Sequence, residues 1–143
     1  LVTVADDSGI EVDALGGAPG IRSARYAGEP GDDARNRQKL LAELRSVGQS
    51  QRSARFVSEI AVATPGGAVR TFRGTLEGRV ADAPRGEGGF GYDSILELPD
   101  GHTVAELAPE QKNAISHRGV ALRNALPYLH TVLESMAVRP KEG

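Results

Sequence analysis

Pro65-Gly66-Gly67 is the feature that most restricts what this chain can fold into. It separates two segments in which β-branched, aromatic and other apolar residues recur: Phe56, Val57, Ile60 and Val62 before it, then Val69, Thr71, Phe72, Leu76 and Val80 after it. A short Pro/Gly break between two such runs is hairpin chemistry. Arg55–Thr64 and Val69–Val80 are therefore expected to pair antiparallel.

The patterns on either side supply helices to pack on that pair. Asp32 or Asp33 can cap a helix that carries Leu40, Leu41, Leu44 and Val47 on one face. Pro109 suits the first turn of a short helix over Pro109–Ala114. A longer helix is expected from near Ser116, with Leu122, Ala125, Leu126, Leu129 and Leu133 at helical spacing, and Pro127 interrupts it, so that it either kinks there or bends away from Leu126. Leu1–Ala5 reads as a short strand that stops at a turn, Asp6-Asp7-Ser8-Gly9. Ile10–Val12 reads as a second short strand, Gly16–Gly28 as an ordered loop, and Ser94–Leu98 as a further strand before the turn Pro99-Asp100-Gly101. The tail Arg139–Gly143 is expected to be disordered. Alternation of this kind implies a mixed α/β or α+β arrangement around a sheet.

A chain of 143 residues is enough for one domain, 1–143, and too short for two comfortable ones. A formal charge of −2 leaves no electrostatic footprint for duplex nucleic acid or a membrane surface, so neither is an expected partner. With no cysteine, disulfides and thiolate metal sites are excluded. No stretch is long and apolar enough to span a membrane, and a cytoplasmic location is the expectation. Only 4% of residues are aromatic, so the core must be largely aliphatic. The chain opens on Leu1 inside a strand, and a preceding segment is expected.

Three stretches can carry chemistry. Asp6-Asp7 places two repelling carboxylates side by side, which a hard divalent cation such as Mg²⁺ would offset; taken alone, the motif reads first as ordinary Asp-Ser-Gly turn chemistry. In "RGEGGFGYD", Arg85–Asp93, four glycines surround Phe90 and precede Tyr92-Asp93. Glycines let a backbone approach a ligand closely, and an aromatic held among them can offer its face to a flat base or tuck into the core. In "KNAISHRG", Lys112, His117 and Arg118 stand at a break between two helices. There they can converge as hydrogen-bond donors, or they can sit in water at a helix start capped by Ser116. Arg22, Arg25 and Tyr26 form a weaker group that could face phosphates. An acid pair, an aromatic platform and a donor cluster match the polyphosphate, the flat base and the exocyclic oxygens of a nucleotide.

In this order, "ADDSGIEVDALGGAPGIRSARYAG", "APRGEGGFGYDS" and "AELAPEQKNAISHRGVAL" resemble the inosine/xanthosine triphosphate pyrophosphatases, the Ham1-like enzymes, from Val2 to about Leu129. The resemblance implies an α/β fold of two lobes, elongated, with a long mixed sheet and a nucleotide cleft between the lobes. It implies Mg²⁺-dependent hydrolysis of deaminated purine nucleoside triphosphates (ITP, dITP, XTP) to the monophosphate and pyrophosphate, usually by homodimers. Position by position, Asp7 matches the general base and metal ligand, and Asp6 its acidic neighbour at the metal. Ser8 matches a substrate contact, and Phe90 the ring that stacks on the purine, with Gly91, Tyr92 and Asp93 completing that wall. Lys112, His117 and Arg118 match the residues that read the base. The strand, phosphate loop and helix with which the family begins, and a further acidic ligand, have no counterpart in this chain, and Ser94 stands where proline is usual. The chain is accordingly expected to be a carboxy-terminal portion with weak or no activity by itself. A nucleotide-binding or dimerising remnant, or a phosphohydrolase using the Asp pair as a nucleophile site, are the other readings.

Overall fold

A computed structural model describes residues 1–137, so the expected tail lies outside the described residues. Four strands form one sheet in the order β1-β2-β3-β4: β1 Thr3–Val12, β2 Ser53–Ala63, β3 Val69–Val80 and β4 Leu96–Glu97. The expected hairpin is its centre, with β2 and β3 in register from Ser53 opposite Arg79 to Ala63 opposite Val69. Within the described residues all three pairings are antiparallel. The α/β class holds, while the parallel component that a mixed sheet requires is not among these four strands.

The largest correction concerns β1. Asp6-Asp7-Ser8-Gly9 is not a turn between two short strands. It is the middle of one strand, paired residue for residue with β2 from Thr3 opposite Ala63 to Val12 opposite Ala54. Acids and glycine are poor strand formers, but their propensity yields to a continuous ladder with a long, apolar neighbour. The outer edge of the second half of β1 is covered by the loop that follows it. Val12 N–H donates to Ala18 O at 3.1 Å, and Ile10 N–H donates to Ser23 Oγ at 2.9 Å.

Alternation divides the sheet into two unlike faces. On one face Ile10, Val12, Ala54, Phe56 and Leu76 join a core completed by Leu40, Leu44, Tyr92, Ile95 and Leu96. Farther along the same face, Ile60 and Val62 pack with Ala121 and Ala125 in a second cluster. Between the two clusters the face turns polar at Asp6, Ser8 and Ser58. The opposite face carries an ionic ladder in which Arg55 pairs with Asp13 at 2.8 Å and Glu77 at 3.0 Å, and Arg73 with Glu11 at 2.9 Å.

The helices fall close to their expected places. Helix α1, Asp33–Glu43, is capped by Asp32, whose carboxylate accepts the Arg35 N–H at 3.0 Å. Its last turn is closed by Arg52, a buried side chain that donates to the carbonyls of Leu44 at 2.7 Å and Val47 at 3.1 Å. Helix α2, Pro109–Ile115, ends at Ser116, whose hydroxyl accepts the Gly119 N–H at 3.0 Å and so opens helix α3, His117–Ala137. Pro127 lies inside α3 and does not end it. Proline removes one backbone hydrogen bond, and the packing of α3 across β2 and β3 through Ala121 and Ala125 sustains the helix on either side.

Candidate active site

The start of α3 sits directly on the sheet because β3 has a glycine beneath it. A Cβ at Gly74 would collide with the backbone of His117 and Ala121. With nothing there, His117 and Arg118 come down over the polar middle of the sheet. The His117 ring lies 5.2 Å from that of Phe56. Arg118 Nε lies 3.4 Å from Asp6 Oδ2 and donates to Ser8 Oγ at 3.2 Å. Beneath them the fully buried Ser58 hydroxyl donates to Asp6 Oδ1 at 2.8 Å. Burial first, and then the neighbouring Arg118 charge, pushes the His117 imidazole below its usual value. Its Nδ1 is buried without a hydrogen-bond partner among the described residues, so a ligand polar group there would satisfy it.

The glycine-rich loop forms the facing wall. Phe90 is 62% exposed, so its ring is not a core residue. Lys112 Nζ stands 4.7 Å and Arg118 Cζ 5.7 Å from the ring centroid, a flat platform flanked by two cations. Asp93 is buried, and its Oδ2 accepts both Lys112 Nζ at 2.6 Å and the Phe90 N–H at 3.0 Å. A Cβ at Gly89, where φ is +79°, would run into that carboxylate. Tyr92 is buried too. Its hydroxyl donates to Ser23 O at 2.6 Å, and burial raises the phenol well above its ordinary value, so it ties the loop to the 3-10 turn Gly20–Arg25.

These residues surround one cavity of about 190 Å³, lined by Ser8, Phe90, Gly91, Tyr92, Asp93, His117 and Arg118, with Phe56 at its floor. Seven of the ten residues matched to the family's site in the sequence thus meet across more than 100 positions of chain. Lys112 reaches the platform from its rim.

The acid pair divides. Adjacent residues of a strand point to opposite faces. Asp6 therefore lies on the same face as Ser8 and pairs with Arg118, whereas Asp7 lines a smaller cavity of about 90 Å³ with Glu11, Glu59 and Arg73 on the other side. Ser8 and Gly9 line both cavities, so the two lie on either side of the same two residues. The Asp7 carboxylate has no hydrogen-bond or ion-pair partner among the described residues, and it stands opposite Glu59 in the ladder, a like-charge juxtaposition that a cation would relieve. Among the described residues no three acidic or imidazole side chains converge on one point. The donor set fits a hard ion that takes one or two carboxylates and fills its remaining positions with phosphate and water oxygens. It does not fit a closed protein cage. Among the described residues the Asp7 carboxylate is left unengaged, whereas Asp6 is engaged by Arg118 and Ser58.

Several residues of the site were not singled out in the sequence. Ser58 and Gly74 each interrupt an apolar strand run, which signals close approach or a polar contact. Asp33 and Arg37 of α1 gave no such signal. Arg22, Arg25 and Tyr26 line a separate cavity with Lys39 and are not brought to the site.

Residues 1–128 match the model of the Ham1 family. The dITP/XTP pyrophosphatase of Geobacillus kaustophilus is 60% identical over 120 residues, which are 83% of this chain and 59% of that protein. The dITP/XTP pyrophosphatase of Symbiobacterium thermophilum is 54% identical over 134 residues, 94% of this chain and 67% of that protein. The solved structure of the Staphylococcus aureus Ham1 protein superimposes with a TM-score of 0.81 at 46% identity, covering 94% of this chain and 68% of that one. The chain therefore spans about three fifths to two thirds of the length of the relatives it matches.

Proposed function

Because this chain belongs to the Ham1 family, we propose that it carries the base-recognition site and the general base of an enzyme that hydrolyses ITP, dITP and XTP to the monophosphate and pyrophosphate. The observation that carries the reading is one cavity lined both by an exposed aromatic ring flanked by two cations and by an imidazole whose buried Nδ1 has no hydrogen-bond partner among the described residues.

In this reading the purine stacks on Phe90. His117, Lys112 and Arg118 donate towards its oxygens, with Asp93 fixing Lys112 and Asp6 fixing Arg118. A 6-oxo group accepts from such donors. The amino group of adenine offers a further donor instead, leaves buried groups unpaired, and is rejected at a cost of about 1–3 kcal/mol per unmade bond. Ser8 and Gly9 lead from the base cavity to Asp7. There Asp7 takes the proton of the attacking water, and it is the residue of this chain that would hold Mg²⁺. Bound magnesium supplies Lewis acidity towards the phosphate oxygens. Asp6, expected as a second metal ligand, acts in this reading through Arg118. A homodimer, as the resemblance implies, and the cytoplasmic location expected from the sequence complete the proposal, and sedimentation equilibrium tests the dimer.

The deciding experiment is pyrophosphate release from ITP against ATP with Mg²⁺, for this chain and for one extended upstream of Leu1. Turnover of ITP by the extended chain, with ATP nearly untouched, supports the reading. If neither chain turns over ITP while IMP still binds, the site is a nucleotide-binding one without catalysis.

A further inference from the structure

Helix α1 begins with two aspartates, and they do different work. Asp32 caps the helix. Asp33, one position on and free of that duty, reaches across to the glycine-rich loop, where its Oδ2 accepts the Gly91 N–H at 2.9 Å. One turn later on the same face, Arg37 Nη1 donates to Gly91 O at 2.6 Å. Both polar groups of one glycine are thus held by two side chains of an element distant in sequence. That glycine follows Phe90 and has a left-handed φ of +59°.

The loop needs such a hold. Gly86, Gly88, Gly89 and Gly91 give it four residues without side chains, and glycine has the most conformational freedom to lose. On its other side the Phe90 backbone is tied within its own loop, its N–H donating to the Asp93 carboxylate and its carbonyl accepting the Asp93 N–H at 3.1 Å. The ring itself is mostly exposed, so packing does not fix it. Resting on the functional reading above, we propose that Asp33 and Arg37 are positioning residues for base recognition. By gripping Gly91 from α1, they hold the Phe90 ring over the cavity before the nucleotide arrives; Asp33 also lines that cavity, whereas Arg37 does not and determines the affinity for the base only through Gly91.

The test is amide hydrogen exchange at Gly91 in the ligand-free chain, together with IMP affinity by calorimetry. The variants are Asp33→Ala, Arg37→Ala, Asp33→Asn and Asp32→Ala. The first two should speed exchange at Gly91 at least tenfold and weaken IMP binding by a similar factor. Asp33→Asn keeps an oxygen acceptor and should restore most of both. Asp32→Ala removes only the cap; it should lower the melting temperature and leave both readouts in place. Gly91 exchanging in the unaltered chain as fast as a free loop amide would overturn the grip itself. Faster exchange in the variants with unchanged IMP affinity would overturn its role in recognition. A protected Gly91 in an unaltered chain that binds no IMP would instead sink the nucleotide reading, and the recognition role with it.

Discussion

A single ring and a single carboxylate carry the sharpest consequences. Phe90 makes little contact with the core and stands exposed between Lys112 and Arg118, so removing it should affect ligand more than fold. Stacking on an aromatic is worth about 1–3 kcal/mol per base. Phe90→Ala should therefore weaken IMP binding roughly 5- to 150-fold, as read by calorimetry, with little change in the urea midpoint. An unchanged affinity would remove the ring from base recognition. The two aspartates should separate by readout. Asp7→Asn in the catalytically competent chain should lower turnover of ITP by roughly 10²–10⁴-fold, the range for a general base, and spare IMP binding. Asp6→Asn frees Arg118 from its partner and should weaken IMP binding first. The reverse pattern would exchange the roles assigned to them.

Among the elements, the contact between β3 and the start of α3 is the most exacting. His117 and Arg118 reach the site only because Gly74 leaves room for the helix backbone. Gly74→Ala forces the helix start off the sheet, and overpacking of this kind costs about 1–3 kcal/mol. A urea titration should show that loss, and the variant should bind IMP weakly even where it remains folded. Full stability with full affinity would mean that the helix start is not seated on β3. The hairpin, the α1 cap, the Ser116 cap and the proline at the start of α2 were all legible in the sequence, because each depends on a few adjacent residues. The continuity of β1 was not. Its middle reads as a turn by composition, and only the ten-residue ladder with β2 makes it a strand.

For the molecule as a whole, the pH dependence of stability has two parts. The His117 imidazole is held below its ordinary value of 6.5 by burial and then by Arg118. As pH falls below 6.5 the unfolded chain takes up this proton first, so stability drops until the pH passes the lower folded value. The slope is at most about 1.4 kcal/mol per pH unit for one proton. Urea unfolding between pH 7.5 and 5 should show the decline, and His117→Gln should flatten it; a flat profile in the unaltered chain would contradict the burial. The carboxylates act lower. Arg55, and then Ser53, hold Asp13 down to about 2, and Arg85 and Arg79 hold Glu97 below the usual carboxylate range. Their contribution is present at neutral pH and is lost as pH falls below about 4, the ordinary carboxylate range.

The sequence by itself determined the hairpin, the helices and the residue types of the site, because turn chemistry, capping and periodicity act over a few neighbours. Gly89, Phe90 and Asp93 already contained the loop that shapes the platform. The tertiary structure alone decided that Asp6 and Asp7 look out from opposite faces, since a strand's alternation assigns faces only once its continuity and register are known. It also decided that Arg118 meets Asp6, and that Asp33 leaves the capping to Asp32 and grips Gly91. Those pairings join segments far apart in the chain. Local propensity carries no information about them, because they exist only when α1, α3 and the glycine-rich loop pack over the same face of one sheet.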